Sequence, residues 1–181
     1  QHWRFSARGA ADFRYFNAQN YYTTFASDTA RENVDAWWGQ INLRKKTEKS
    51  SLNIDAGYKS LRDQYWFRPG LAPNDNKSAL FTAQAYYHTA FSKVHSVTGG
   101  VQLQHKKIRS NDRGNHILWH GAAYAIFHQQ WPSKLSLHES IRLDADESYG
   151  WVLVPQLNLG WSPNRFTLRF SAGRSIRDAD F

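Results

Sequence analysis

Trp37-Trp38-Gly39-Gln40-Ile41-Asn42-Leu43-Arg44 decides the fold. Trp37, Gly39, Ile41 and Leu43 share one parity, while Trp38, Gln40, Asn42 and Arg44 share the other. Side chains alternate across a strand and recur every 3.6 residues on a helix, so this stretch reads as a strand with one apolar face. The pattern recurs outward in both directions. Leu52, Ile54, Ala56 and Tyr58 repeat it after Thr47-Glu48-Lys49, as do Phe81, Ala83, Ala85 and Tyr87. Val97 to Leu103, Trp119 to Phe127, Leu135 to Leu143, Leu153 to Trp161, Phe166 to Ala172 and, at the start, Trp3 to Ala7 carry it as well. About nine strands and no helix are expected.

The strands read long, about 10 to 14 residues against the usual 5 or 6; a tilted strand crossing a bilayer needs about 9 to 11. Short connections are expected at Thr47-Glu48-Lys49, Phe91-Ser92-Lys93, Trp131-Pro132-Ser133 and Ser162-Pro163-Asn164. Long loops are expected from Arg14 to Glu32, Arg62 to Lys77 and Lys107 to Asn115, with a shorter one from Asp144 to Gly150. Phe91, Trp131, Trp161 and Phe166 gather at the short-turn ends; Trp37, Tyr58, Trp119, Tyr149 and Trp151 lie towards the long-loop ends. Long strands, unequal rims and two aromatic bands describe an antiparallel transmembrane β-barrel. A soluble β-rich binding or adhesion module, its apolar face turned inward, is the alternative, with a passive porin as a third reading. Glu139 falls on the apolar parity, which a bulge or a place near the interface would accommodate.

Composition narrows function. The 181 residues carry 23 Lys plus Arg against 15 Asp plus Glu, a formal charge of +8, with 15% aromatic residues and no Cys or Met. Cysteine nucleophiles, thiolate metal sites and disulfides are excluded. No apolar run approaches the roughly 18 residues of a spanning helix. The longest basic stretch is Arg44-Lys45-Lys46, so the charge is dispersed and no nucleic-acid partner is expected. The chain begins at Gln1 without an initiator Met or signal peptide and stops just beyond a patterned segment, so it reads as an excerpt of a longer protein.

Arg142-Leu143-Asp144, Pro155-Gln156-Leu157-Asn158-Leu159 and Leu168-Arg169-Phe170-Ser171-Ala172-Gly173-Arg174-Ser175-Ile176-Arg177 carry a resemblance. The chain resembles the barrel of TonB-dependent outer-membrane receptors of the siderophore and cobalamin type, of a Bacteroidetes-like lineage. Ser175 and Ile176 stand where the family has a second Gly and an aromatic, and the Pro after Arg177 is missing. The segment from Gly9 to Glu32 is similar to an outer loop of such receptors. The resemblance implies a bacterial outer-membrane location and a plugged barrel of 22 strands. Residues 1–181 would then be a middle section, with the plug and remaining strands absent. It further implies uptake of an iron-siderophore, cobalamin or similar nutrient, powered by the TonB-ExbB-ExbD system through the plug. Membrane lipid and lipopolysaccharide, and a surface lipoprotein, are the other implied partners.

Ligand contacts would come from loops. Tyr65-Trp66-Phe67-Arg68 is the densest aromatic-plus-cation cluster, joined by Arg109, Arg113 and an aromatic loop containing Tyr15, Tyr21 and Tyr22. Rings supply stacking faces, and Arg a bidentate partner for carboxylate, catecholate or phosphate. The same rings could equally pack a loop or anchor it at an interface. Arg4, Arg8, Arg44, Arg142 and Arg169 fall on the polar parity, where they would face the lumen and plug.

No metal site, cofactor or catalytic residue is expected. His116 and His120 share a parity but stand about 13 Å apart along a strand, and His88, His128 and His138 read as hydrated lumen residues. His138, Glu139 and Ser140 alternate faces and build no triad. Asp144, Asp146 and Glu147 read as solvated rim acids, and no phosphate-binding or redox motif occurs. An enzyme is not expected.

Overall fold

A computed structural model describes residues 2–17 and 29–176. The described residues form nine strands: β1 (His2–Asn17), β2 (Arg31–Lys46), β3 (Ser50–Trp66), β4 (Asn74–Ala90), β5 (His95–Ser110), β6 (Gly114–Gln130), β7 (Leu135–Asp146), β8 (Gly150–Trp161) and β9 (Leu168–Gly173). They make one sheet in sequence order, each strand antiparallel to the next. The all-β antiparallel reading holds, as does the number of strands. Among the described residues no helix is long and apolar enough to cross a membrane, which says nothing of strands.

The expected loops at one rim are shorter than their sequence suggests. The Arg62 to Lys77 segment is paired up to Trp66 and again from Asn74, leaving 67–73; Lys107 to Asn115 leaves only 111–113, and Asp144 to Gly150 leaves 147–149. Polar side chains on both faces hide these strand ends from a periodicity argument, yet the ladder continues through Arg62↔Lys77 and Arg109↔Asn115. β1 to β6 are therefore 16 or 17 residues long, beyond the expected range. The tight turns are closed locally. Ser110 Oγ accepts the amides of Asp112 and Arg113, and Asp146 Oδ1 accepts that of Ser148.

Register carries the alternation across the whole sheet. Phe5 faces Leu43, which faces Ile54, then Ala85, Val101, Ala123 and Leu143, ending on Leu153. The exposed large apolar residues of the strands lie on this face, Trp38 excepted. The opposite face runs Arg44, Asn53, Tyr86, Gly100, Tyr124, Arg142 and Val154 along the adjoining row. Among the described residues the only apolar ones that are buried are Ala30, Val34, Leu118 and Ala122, so no second layer covers either face.

Aromatic rings bound the apolar face. Trp3, Tyr87, Phe127 and Trp161 stand towards one rim; Trp37, Tyr58, Phe81, Trp119 and Trp151 stand towards the other, with Trp37 and Tyr58 in contact at 5.0 Å. On β8 the two Trp are ten residues apart, about 34 Å along a strand. Beyond the second row the same face becomes polar, with Tyr15, Asp35, Arg62, Asp75, Lys77 and Arg109. Glu139 keeps the apolar parity in an unbroken ladder between Phe127 and Leu157, so no bulge accommodates it; it lies level with the ring of the first aromatic row.

β9 is short for a visible reason. In a strand, the N–H and C=O of one residue point to the same neighbour. The Pro155 carbonyl accepts the Arg174 amide, so the N–H that Pro155 lacks would also point towards β9. The ladder stops at Gln156↔Gly173, one residue earlier.

Gly100 supplies a close approach on the polar face. A Cβ there would stand 2.6 Å from the Tyr124 ring and 2.8 Å from Tyr86 Cβ, the two cross-strand neighbours. Gly100→Val should cost about 1–3 kcal/mol through overpacking, whereas Gly39→Val, with open space at its Cβ, should cost under ~1 kcal/mol. Equilibrium unfolding of the two variants in one detergent checks the contrast.

Candidate functional site

The polar face gathers its side chains most tightly on β5 to β8. The 131–134 turn, which joins β6 to β7, sets His120 opposite Asp146, and two residues along Ala122 opposite Asp144. The even positions of β6 and β7 thereby bring an imidazole between two carboxylates. His120 Nε2 lies 3.0 Å from Asp144 Oδ1, and Nδ1 lies 3.3 Å from Asp146 Oδ2. Tyr149 Oη, from the 147–149 turn, stands 3.3 Å from the same Nδ1. Asp144 also takes the Arg142 Nε, at 2.9 and 3.0 Å from its two oxygens, while both terminal nitrogens of Arg142 reach Gln102 Oε1 at 3.2 Å.

The two carboxylates are buried, Asp144 at 3% exposure and Asp146 at 7%. Buried carboxylates require partners: Asp144 has Arg142 Nε and the imidazole, and Asp146 has the imidazole and the Ser148 amide. Gln104, Lys106, Tyr149 and Arg174 join the cluster around a cleft of about 440 Å³. The arrangement presents cationic and hydrogen-bonding groups to a polar or anionic guest. Among the described residues no serine or threonine hydroxyl is bonded to His120, so the cluster as described is not a hydrolytic triad.

Asp144 and Asp146 were expected as solvated rim acids and are instead enclosed in a network. From sequence, residues 144–150 read as a loop; extending the β6 and β7 parities through their hairpin places both acids beside His120. Of the five arginines expected on the polar face, Arg142 lies in this network. Arg8 donates Nε and Nη2 to Gln40 Oε1 at 3.0 and 2.8 Å. Arg4 and Arg44 face each other across β1 and β2, at the short-turn end, lining a recess of about 1040 Å³ with Lys46 and Lys49. Arg169 is exposed on β9 opposite Gly160.

The ligand candidates do not form one cluster. Tyr65 and Phe67 meet edge to face at 4.8 Å, but Tyr65 is in β3 and only Phe67 and Arg68 lie in the 67–73 loop. Trp66 points to the apolar side under the Arg31 guanidinium, 4.7 Å from its ring centre. Tyr15 and Arg109 are strand residues of that same side, and Tyr15 Oη donates to Asp35 Oδ1 at 3.1 Å. Arg113 occupies the 111–113 turn, within electrostatic reach of Asp63 on the polar side. Tyr21 and Tyr22 lie outside the described residues.

The extended strand ends carry two acids with opposite tendencies. The Arg62 guanidinium, donating to both oxygens of Asp75 (2.9 and 2.6 Å), holds that carboxyl below the ordinary range against the cost of burial. Burial, and then the neighbouring Glu32 carboxylate, push Asp63 above it, against weaker opposition from Asn76 and Arg113. Asp63 Oδ1 is enclosed without a hydrogen-bond partner.

No protein-family model matches the chain, and no curated protein matches it.

Two predictions follow from these networks. Asp144→Ala leaves Arg142 and His120 facing an empty site and should cost about 3 kcal/mol, against under ~0.5 kcal/mol for Arg169→Ala, measured by unfolding. For Asp63, a carboxyl raised in the folded state weakens folding once it ionises. Asp63→Asn should therefore stabilise the protein by about 1 kcal/mol near neutral pH. The gain should vanish as pH falls below the ordinary aspartate range, where the parent residue is protonated in both states; unfolding midpoints of parent and variant across pH test this.

Proposed function

We propose that the chain forms part of the wall of an outer-membrane β-barrel, in a TonB-dependent receptor that imports an iron-siderophore, cobalamin or similar nutrient. The observation that carries the membrane reading is the division of one sheet into an apolar face edged by two aromatic rows and a polar face bearing charge networks. The Trp151 to Trp161 span fits a bilayer: tilted by 35–45°, about 34 Å of strand projects to about 24–28 Å, close to the apolar band of about 25 Å on such barrels. Exposed apolar surface of this extent favours lipid over water as its neighbour. A soluble module needs a second layer over the same face.

The open edges of β1 and β9 fit a section rather than a closed cylinder, since each has one neighbour among the described residues. Further strands would close the barrel, and a plug would fill the lumen and engage TonB-ExbB-ExbD. The receptor assignment itself rests on the resemblance at residues 142–144, 155–159 and 168–177. On that reading the rim with extended strands faces outward. Tyr65, Phe67, Arg68 and Arg113 would offer ligand contacts there, and the Arg142–Asp144–His120 cluster would stiffen the wall beneath them. Lys77, Lys107 and Arg109, on the apolar side beyond the second aromatic row, are placed to meet lipopolysaccharide phosphates. A surface lipoprotein would dock on the same rim.

Neighbouring positions separate lipid from lumen. Ile141, half-exposed between Ala125 and Pro155, points to the apolar side; Ser140 points to the polar side. Ile141→Arg should destabilise the assembled barrel by about 2–4 kcal/mol and cut the folded, heat-modifiable fraction in outer membranes. Ser140→Arg should leave that fraction near the parent level. Equal tolerance of both variants overturns the membrane reading. Loss of growth on a defined iron-chelate or cobalamin source on deleting the gene, restored by the parent gene, tests the transport reading.

A further inference from the structure

Towards the short-turn rim, the polar face carries a second histidine constellation that the network around His120 does not include. His128 on β6 and His138 on β7 are directly opposed in the ladder. Their ring centres lie 4.0 Å apart with planes at 56°, and the two Nδ1 atoms face each other at 3.1 Å. We propose that His128 and His138 form a bidentate site for a borderline divalent transition metal of the Cu²⁺, Ni²⁺ or Zn²⁺ class.

The distance carries the argument. Two imidazole nitrogens bound to one ion at about 2.0–2.1 Å stand about 2.8–3.4 Å apart for ligand angles between square-planar and tetrahedral. The observed 3.1 Å falls inside that interval without movement of either strand. In the metal-free pair only one hydrogen fits between the nitrogens, so one ring donates and the other offers its lone pair. When the donating ring shifts its hydrogen to Nε2, both Nδ1 lone pairs are free to bind. An ion at about 2.0–2.1 Å from each nitrogen then sits beside the line joining them, about 1.3–1.4 Å off it, and each ring remains neutral.

The surroundings suit such an ion. His138 is exposed and His128 half-buried, so water has access to the remaining coordination positions. Ser96 stands opposite His128 and Asn158 opposite His138 in the same row, adding oxygen donors at the margins. Imidazole selects Cu²⁺, Ni²⁺ and Zn²⁺ over Mg²⁺ and Ca²⁺, which prefer all-oxygen shells. No group of three or more His, Cys, Asp or Glu among the described residues is arranged to hold a metal, so this is a two-residue site, open to exchange. The inference rests on the hairpin geometry of β6 and β7 and is independent of the transport reading.

Titration of the full chain in detergent micelles with Ni²⁺ should show a site that His128→Gln and His138→Gln each weaken at least tenfold. His105→Gln, on the opposite face against Trp119, should leave that site unchanged. Excess Mg²⁺ should not compete. Matching amide-region circular dichroism verifies that the variants retain their strands. Should a variant fail to fold, Cu²⁺ bound to the parent chain gives an independent reading, because its electron paramagnetic resonance spectrum reports the coordinating nitrogens. Two imidazole nitrogens support the site. An unaltered Ni²⁺ affinity in both folded variants, no Ni²⁺ uptake at millimolar concentration, or fewer than two nitrogens on Cu²⁺ overturns it.

Discussion

A strand ladder holds side chains at a period of two, and a slip of one residue would exchange the two faces of any strand in this sheet. Nine consecutive antiparallel strands keep their registers so that Leu, Ile, Val and Ala meet each other row after row, while Arg, Asn, Asp and His meet on the reverse. Every later property depends on that coupling. Shifting β7 by one residue against β6 would carry Asp144 and Arg142 to the apolar side, and would bring Leu143 and Ile141 into the polar rows. The 131–134 turn between β6 and β7 helps to prevent it: the Trp131 amide donates to the Leu135 carbonyl, the Lys134 amide donates to the Trp131 carbonyl, and Lys134 adopts a positive φ.

Alternation was legible because the apolar band requires it of both faces at once. In Leu52 to Tyr58 and Val97 to Leu103 one parity is greasy and the other polar, so the strand and its two faces can both be read from sequence. That information fails where a strand outruns the band. Arg62, Gln64, Lys77 and Arg109 lie on the apolar side beyond the aromatic row, next to polar residues of the opposite parity, and their segments read as loops. Their backbones remain paired because an antiparallel ladder needs only a neighbour, and Arg62–Asp75 adds a charge pair across it. The polar network was hidden for a different reason. His120, Asp144 and Asp146 are spread over 27 residues, and only the closure of a hairpin brings them within 3.3 Å.

The same physics explains why charge placement differs between the two sides. On the polar side, Asp144 tolerates near-complete burial because an arginine and a histidine both point at it. On the apolar side no comparable partner is available within the band, and the charge there is confined to its margins. Glu139 stands level with Phe127, and Lys45 rests over the Trp3 ring at 5.1 Å. On the membrane reading, both positions would let an ionised head reach a wetter layer while the stem covers an aromatic or aliphatic surface. An acid in the middle rows, at Ala83 or Ala125, would have no such exit.

Small residues then fit into the same logic. The apolar middle rows alternate bulky Leu, Ile and Val with Ala and Gly: Ala56 beside Ala83, Gly99 beside Ala125, Gly121 beside Leu103. A globular core would penalise such gaps, because a void loses packing contacts that nothing replaces. Mobile chains of a bilayer fill uneven relief without a fixed partner, so a face that meets lipid has no need of jigsaw complementarity. Tight packing is found instead on the reverse, where Tyr86 and Tyr124 close over Gly100 and leave no room for a side chain. That asymmetry, loose relief on the apolar side and close fit on the polar side, is the inverse of a water-soluble sheet and argues for the same orientation as the aromatic rows do.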